Sequence, residues 1–309
     1  MTRLPNGWLF TLTVLVWGST WYAIVHQLAV TTPEFGVTVR FTLAALVVCA
    51  VAAWRGETLR LPARAQPWLA LQGVFMYSLS YLCVYHAEKH VPSGLVAVGY
   101  SAAPLLAGVG AWALWRAPLN RRFLAGGVLG VAGVALIFWP EIGRTQARPT
   151  AVLGLVFTAG AVLLSALGSL ASAHLARSQQ LPFWSSMGWA MGYGAAASAA
   201  VWWALDQPLP SAQILLSPLW WASLLYLSLA GTVLAFAAFL TLQQRVGPGR
   251  AATVGVMTPV LALAVSTAFE NFVPDLWTAA GAALAIWGNV WMLKTSQATI
   301  KPPVAPAAG

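Results

Sequence analysis

The sequence predicts an all-α membrane protein: ten transmembrane helices arranged as two inverted five-helix repeats. Three observations predict it. Of 309 residues, 59% are hydrophobic and 7% charged, whereas soluble domains carry about a quarter charged residues. The apolar residues form long continuous runs, not the alternation over about ten residues that marks a barrel strand. Finally, part of the first half recurs 155 residues later in the second. Sixteen Lys and Arg with seven Asp and Glu cannot coat a soluble chain of this length. A cytosolic enzyme, a secreted domain and a disordered protein are thereby excluded.

The spans are read in order as residues 8–29, 35–54, 67–87, 93–115, 121–139, 151–173, 183–205, 217–241, 250–269 and 275–293. The first is too long for a signal-peptide core and carries Gly18-Ser19-Thr20 in its middle, so an uncleaved helix is expected. Helix-breaking or water-seeking residues separate the spans. Examples are Thr32-Pro33-Glu34, Arg55-Gly56-Glu57, Pro140-Glu141, Asp206-Gln207-Pro208 and Gly247-Pro248-Gly249. After Lys294 the chain turns polar and Pro-rich, a disordered cytoplasmic tail. The expected units are residues 1–148, 149–294 and the tail 295–309.

Net charge is +9. In a soluble protein that would suggest nucleic acid; here the charges sit in short connections and report topology. With the N-terminus in the cytoplasm, twelve of the sixteen basic residues fall inside and three (Lys89, Arg144, Arg148) outside, while Arg40 lies in a span. Acids go the other way, with Glu57 alone inside. This asymmetry predicts ten spans with both termini cytoplasmic. Cys49 and Cys83 lie in apolar runs without a ligand at metal-site spacing, so neither a disulfide nor a metal is expected.

Shifting residues 91–138 by 155 aligns Gly94 with Gly249, Pro104 with Pro259, Gly126 with Gly281 and Gly133 with Gly288. Five spans per repeat is an odd number, so the halves face opposite ways. That is the plan of secondary transporters, whose substrate site lies between the halves near midplane.

These residues resemble the drug/metabolite transporter superfamily, in its EamA-type ten-helix branch. The matching pieces are Trp17-Gly18-Ser19-Thr20-Trp21, Arg40-Phe41-Thr42-Leu43-Ala44 and Pro92-Ser93-Gly94 leading to Pro104. Gly247-Pro248-Gly249-Arg250 leading to Pro259 and the two Gly pairs complete the set. The chain departs from the pattern at Ser165, where members often carry Trp, and at the polar Ala87-Glu88-Lys89-His90. The resemblance implies a bacterial inner-membrane carrier that moves a small polar metabolite, commonly outward, by alternating access.

Tyr77, Tyr81 and Tyr85 recur every four residues with Glu88 three further on, one helical stripe. It is read either as aromatic packing or as a cavity wall. Trp17, Ser19 and Tyr22 sit near the middle of the first helix, where Trp is unusual. With Tyr100 and Ser165 they complete the expected substrate cavity. Pro104 and Pro259 each free a carbonyl four residues back and are kinks or hinges. Arg40, about 9 Å from the outer helix end, either snorkels or serves binding or gating. His86, beside Glu88, is the first choice for energy coupling. The Gly126 and Gly281 patterns are packing stripes, within or between chains.

No Walker loop and no nucleophile–base pair at depth appears, so ATP drive and enzyme activity are not expected, and no cofactor is implied. The sequence reading is an exporter of a small amphipathic metabolite such as an amino acid. A multidrug efflux carrier is the alternative within the class; an intramembrane enzyme or receptor lies outside it. The partners are the substrate and the lipid bilayer, without nucleic acid, for a monomer or homodimer. Cysteine labelling of intact cells tests the topology. A Cys at Arg60 should stay unlabelled by an impermeant reagent, and one within residues 141–149 should label. External labelling at position 60 would end the ten-span topology.

Overall fold

A computed structural model describes residues 4–117, 119–143, 148–246, 251 and 253–296. Among them run ten long helices. They are α1 (Asn6–Leu28), α2 (Pro33–Trp54), α3 (Ala63–Glu88), α4 (Ser93–Trp115) and α5 (Arg121–Gly143). The second half holds α6 (Arg148–Ser178), α7 (Phe183–Ala204), α8 (residues 218–246), α9 (Val254–Phe269) and α10 (Leu276–Ser296). A one-turn helix, Ala212–Leu215, precedes α8. The described residues contain no strand. Seven helices, α1 to α6 and α8, are long and apolar enough to cross a bilayer, and α9 is a shorter apolar helix. Helix α7 is rich in Gly, Ser and Trp, residues that score low for hydropathy but pack closely. The Gly247-Pro248-Gly249 separator and the tail from residue 297 lie outside the described residues.

Helix starts follow local chemistry. At α2, the Thr32 hydroxyl accepts from Phe35 N at 3.3 Å, Pro33 occupies the first turn, and Glu34 adds negative charge at the positive end. Pro140 does not end α5 as the sequence predicts; the helix continues through it to Gly143. A proline in the last turn forfeits a single hydrogen bond at an end that is already frayed.

The two prolines expected to act alike do not. Helix α4 is interrupted at Ser101–Ala102 and restarts at Ala103 with Pro104 in its first turn. Helix α9 carries Pro259 inside a continuous helix. Conversely, a matched feature escaped the sequence. Residues 73–79 of α3 and 226–234 of α8 are both π-helical, and a shift of 155 lays the first segment on the second.

Packing obeys the repeat. Helices α2 and α7, α4 and α9, and α5 and α10 pair with their own repeat mates. Other pairs come in couples: α1 with α9 and α6 with α4, α1 with α8 and α6 with α3, α2 with α8 and α7 with α3. The α5–α10 seam is antiparallel and backbone-close. A Cβ on Gly133 would sit 2.5 Å from Gly281 O and Ala285 N, and one on Gly281 would meet Gly133 O at 2.6 Å. Gly126 faces Gly288 in the same way. The packing stripes therefore join the two halves of one chain. Gly133→Val should cost about 1–3 kcal/mol in overpacking, read as an earlier melt in detergent. Gly130→Ala should be silent, since its added Cβ would find Asn289 Nδ2 no closer than 3.9 Å.

Candidate substrate cavity

A cavity of about 810 Å³ lies between the two halves. From the first half its wall takes Trp17, Trp21, Arg40, Tyr77, Tyr81 and Tyr100. From the second it takes Ser165, Ser172, Thr232, Phe236 and Asn289, and Pro104 and Pro259 also face it. The volume falls in the range of small-molecule sites, which are mostly apolar with a few placed polar groups.

Most wall positions come as repeat mates. The shift of 155 takes Trp17 to Ser172, Met76 to Gly231, Tyr77 to Thr232, Tyr81 to Phe236 and Tyr100 to Gly255, all of which line the cavity. Applied to Trp17, Tyr77, Tyr81 and Tyr100, residues chosen from sequence, the same operation gives four residues of the second-half wall. The chemistry of the mates is unequal. The first half supplies large aromatic rings, the second mostly small or hydroxyl-bearing residues.

Five of the eight expected cavity residues line the wall: Trp17, Tyr77, Tyr81, Tyr100 and Ser165. Ser19, Tyr22 and Tyr85 do not. Ser19 is two residues from Trp17, about 200° round the helix. Its Oγ donates to Leu15 O at 2.5 Å and meets the Tyr226 hydroxyl at 2.6 Å. Tyr22 packs on His26 and Phe269. Tyr85 is fully buried between α3 and α1, where its hydroxyl donates to Gln27 Oε1 at 2.7 Å. Steps of four residues advance about 400°, so the Tyr stripe drifts about 40° per step. By Tyr85 it has left the face that Tyr77 and Tyr81 share.

The π-helical segments border the cavity. Their wider turns leave carbonyls poorly aligned for the ordinary helical bond. One is taken up across the helix interface, where Trp17 Nε1 donates to Gly231 O at 2.9 Å. The Thr232 hydroxyl reaches back to Leu227 O at 3.2 Å. Tyr100 is held by Ser80, whose Oγ donates to Ala161 O at 2.9 Å and lies 3.2 Å from the Tyr100 hydroxyl. Trp21 meets Tyr100 edge-on at 5.6 Å.

The cavity reaches the α6–α7 connection, where Gln179, Leu181 and Phe183 line it. At the opposite end α4 and α9 are tied together. Glu270 Oε2 accepts from Ser93 N at 3.0 Å, and its Oε1 accepts from the Ser93 and Ser266 hydroxyls. Gly94 N completes the knot by donating to Ser266 Oγ at 2.8 Å. His86 and Glu88, expected at coupling or gating, lie at this closed end, off the wall. His86 Nε2 is 2.8 Å from Glu34 Oε1, and its ring stacks on Phe157. Both Glu88 oxygens are buried without a hydrogen-bond partner among the described residues. In the α3–α4 connection, burial and the neighbouring Lys89 and His86 hold the His90 imidazole below its ordinary value. Among the described residues no cluster of His, Cys, Asp or Glu could hold a metal ion.

A ten-helix bundle of two inverted halves with a cavity at their interface defines a multi-pass membrane protein of the carrier class. The chain belongs to the EamA-like transporter family, whose model matches it twice, over residues 6–139 and 152–294. Among its relatives is Protein PecM of Dickeya dadantii, 23% identical over 255 residues, 82% of this chain and 80% of that protein. Protein PagO of Salmonella typhimurium is 28% identical over 105 residues, about a third of each chain (34%). One solved crystal structure matches with a TM-score of 0.66 at 21% identity, covering 95% of this chain and 98% of the other. That likeness is one of fold.

The bonds assign different roles to two serines. Ser19→Ala removes the Tyr226 contact between α1 and α8 and should lower stability by about 0.5–1.5 kcal/mol. Ser172→Ala, on the open wall, should leave the melt within about 0.5 kcal/mol of wild type. Thermal melts in detergent separate the two.

Proposed function

We propose that the chain is a secondary transporter that exports a small amphipathic metabolite, such as an amino acid, across the bacterial inner membrane by alternating access. Its repeats divide at residues 1–148 and 149–294, and both termini are cytoplasmic. One observation carries the reading. The cavity lies on the interface of two inverted halves, is walled by neutral aromatic and hydroxyl groups, and is tied shut at one end. Such a wall suits a molecule with an apolar body and few charges. A polyanion would need several cations there, and among the described residues Arg40 is the charged side chain on the wall. With the N-terminus cytoplasmic, the end reached by Gln179 and Leu181 is also cytoplasmic, the side from which an exporter loads. The cavity is formed by one chain, so a single chain is a complete transport unit, alone or within a homodimer.

The test is a metabolite-resistance and flux screen in cells with and without the protein, followed by proteoliposomes. Expression should raise resistance to a toxic amphipathic metabolite and lower its accumulation. Tyr81→Phe should weaken apparent affinity for that compound by about 0.5–1.5 kcal/mol, the value of a neutral hydrogen bond, if the hydroxyl of this wall residue bonds the compound. Binding without flux would make the protein a receptor. Protection restricted to structurally unrelated drugs would make it a multidrug carrier, and product formation without flux an enzyme.

A further inference from the structure

We propose that Arg40 anchors a carboxylate-binding subsite in the cavity, so that the transported molecule carries a carboxylate beside its apolar body. This rests on the carrier reading and narrows its substrate class.

Arg40 is the eighth residue of α2, about 10 Å from the helix start. A cation at such depth is costly unless something satisfies it. Its side chain is 3% exposed and belongs to the cavity wall. Two rings flank it: the guanidinium carbon lies 4.7 Å from the Tyr81 centroid and 5.3 Å from that of Phe41. Ring faces stabilise the charge but accept none of its in-plane hydrogens. The Tyr85 hydroxyl beside it gives its own proton to Gln27 Oε1 and can accept one guanidinium hydrogen. Arg40 Nε and Nη1 remain buried with no acceptor among the described residues.

Glu88 lies within electrostatic reach of Arg40 but does not close the gap. No Arg40–Glu88 ion pair forms within 4 Å, and both Glu88 oxygens are themselves without a partner. The root of Arg40 is fixed from the other half of the molecule, where the Ser228 hydroxyl donates to the Arg40 carbonyl at 3.1 Å. The result is a held, desolvated guanidinium in a residue of the cavity wall, with two donors that the described residues leave unused. Each unused N–H suits a carboxylate oxygen as a charge-assisted hydrogen-bond partner. A single cation on the wall balances one negative charge, which favours a monocarboxylate over a phosphate. The rings of Trp21, Tyr77 and Tyr100 offer faces for an apolar body and for an ammonium group.

The experiment uses the full-length protein in detergent and a matched set of probes: phenylalanine, phenylalaninamide, phenethylamine, 3-phenylpropanoate and phenyl phosphate. In wild type the two carboxylates should bind about tenfold or more tighter than the amide and the amine, the range of a charge-assisted hydrogen bond. Arg40→Gln should bring the ratio of phenylalanine to amide affinity near one, and Arg40→Lys should keep part of it. Both ligands are measured on the same sample, so a loss of folded protein cancels from the ratio. An unchanged ratio in Arg40→Gln overturns the proposal. So does equal binding of amide and acid by wild type, tighter binding of phenyl phosphate than of 3-phenylpropanoate, or binding of none of the five. Proteoliposome flux separates the two readings. Arg40-dependent binding without flux removes the carrier and keeps the subsite; flux of compounds that lack a carboxylate keeps the carrier and removes the subsite.

Discussion

Every backbone N–H and C=O in a bilayer must find its partner inside the protein. That constraint decides where this chain is regular and where it is not. The departures, the break in α4 at Ser101–Ala102 and the π-helical turns of α3 and α8, all contribute residues to the cavity wall. Each departure has local partners for its loosened groups. Ser101 Oγ donates to Val98 O at 2.6 Å, and Gly231 O receives the indole N–H of Trp17. The cavity wall is therefore the place where irregular backbone is tolerated.

The pairing of the halves rests on small residues, because lipid gives apolar helices no hydrophobic reason to associate. Close approach and dispersion must do it. On the α5–α10 seam, glycines of each helix lie against the backbone of the other. On α3–α7, Gly194 approaches the backbone of Gly73 and the side-chain stem of Tyr77 in the same manner. These contacts place the first residues of the π-helical segment of α3 directly on α7, so the packing that joins the halves also positions Tyr77 on the cavity.

The helices and the repeat were legible because both are written in one dimension: runs of apolar residues, punctuation, and a constant shift. The cavity was legible only in part because it depends on angle. Trp17 and Ser19 are neighbours in sequence and nearly opposite on the helix, and only Trp17 reaches the wall. Tyr77, Tyr81 and Tyr85 look like one stripe, yet the drift of about 40° per step turns the last away from the face of the first two. The π-helical turns themselves have no compositional mark in either repeat. Pro104 and Pro259 match in sequence but act differently, since a proline breaks a helix outright only where its neighbours allow the chain to restart.

The two halves are alike in backbone and unlike in side chains, and this bears on how the ends of the cavity close. Glu270, Ser266 and Ser93 form the knot between α9 and α4 at one end. The repeat places Trp115 and Ala111 where Glu270 and Ser266 would stand at the other end; the third mate, residue 248, lies outside the described residues. The repeat mates therefore do not rebuild the knot at that end, where Glu57 Oε2 instead accepts from Ser185 N at 3.0 Å and from the Ser185 hydroxyl at 3.3 Å. The end also holds aromatic and cationic groups, with the Arg177 guanidinium 5.4 Å from the Trp115 ring and His174 beside both Trp68 and Trp115. In the alternating-access cycle proposed above, inverted backbone symmetry makes the two access states geometrically interchangeable. On that proposal the side chains make the two states energetically distinct, because one end is held by the Glu270 knot and the other by aromatic contacts beside the Glu57–Ser185 bonds. In that proposed cycle a substrate shifts the balance only by its differential affinity for the two states.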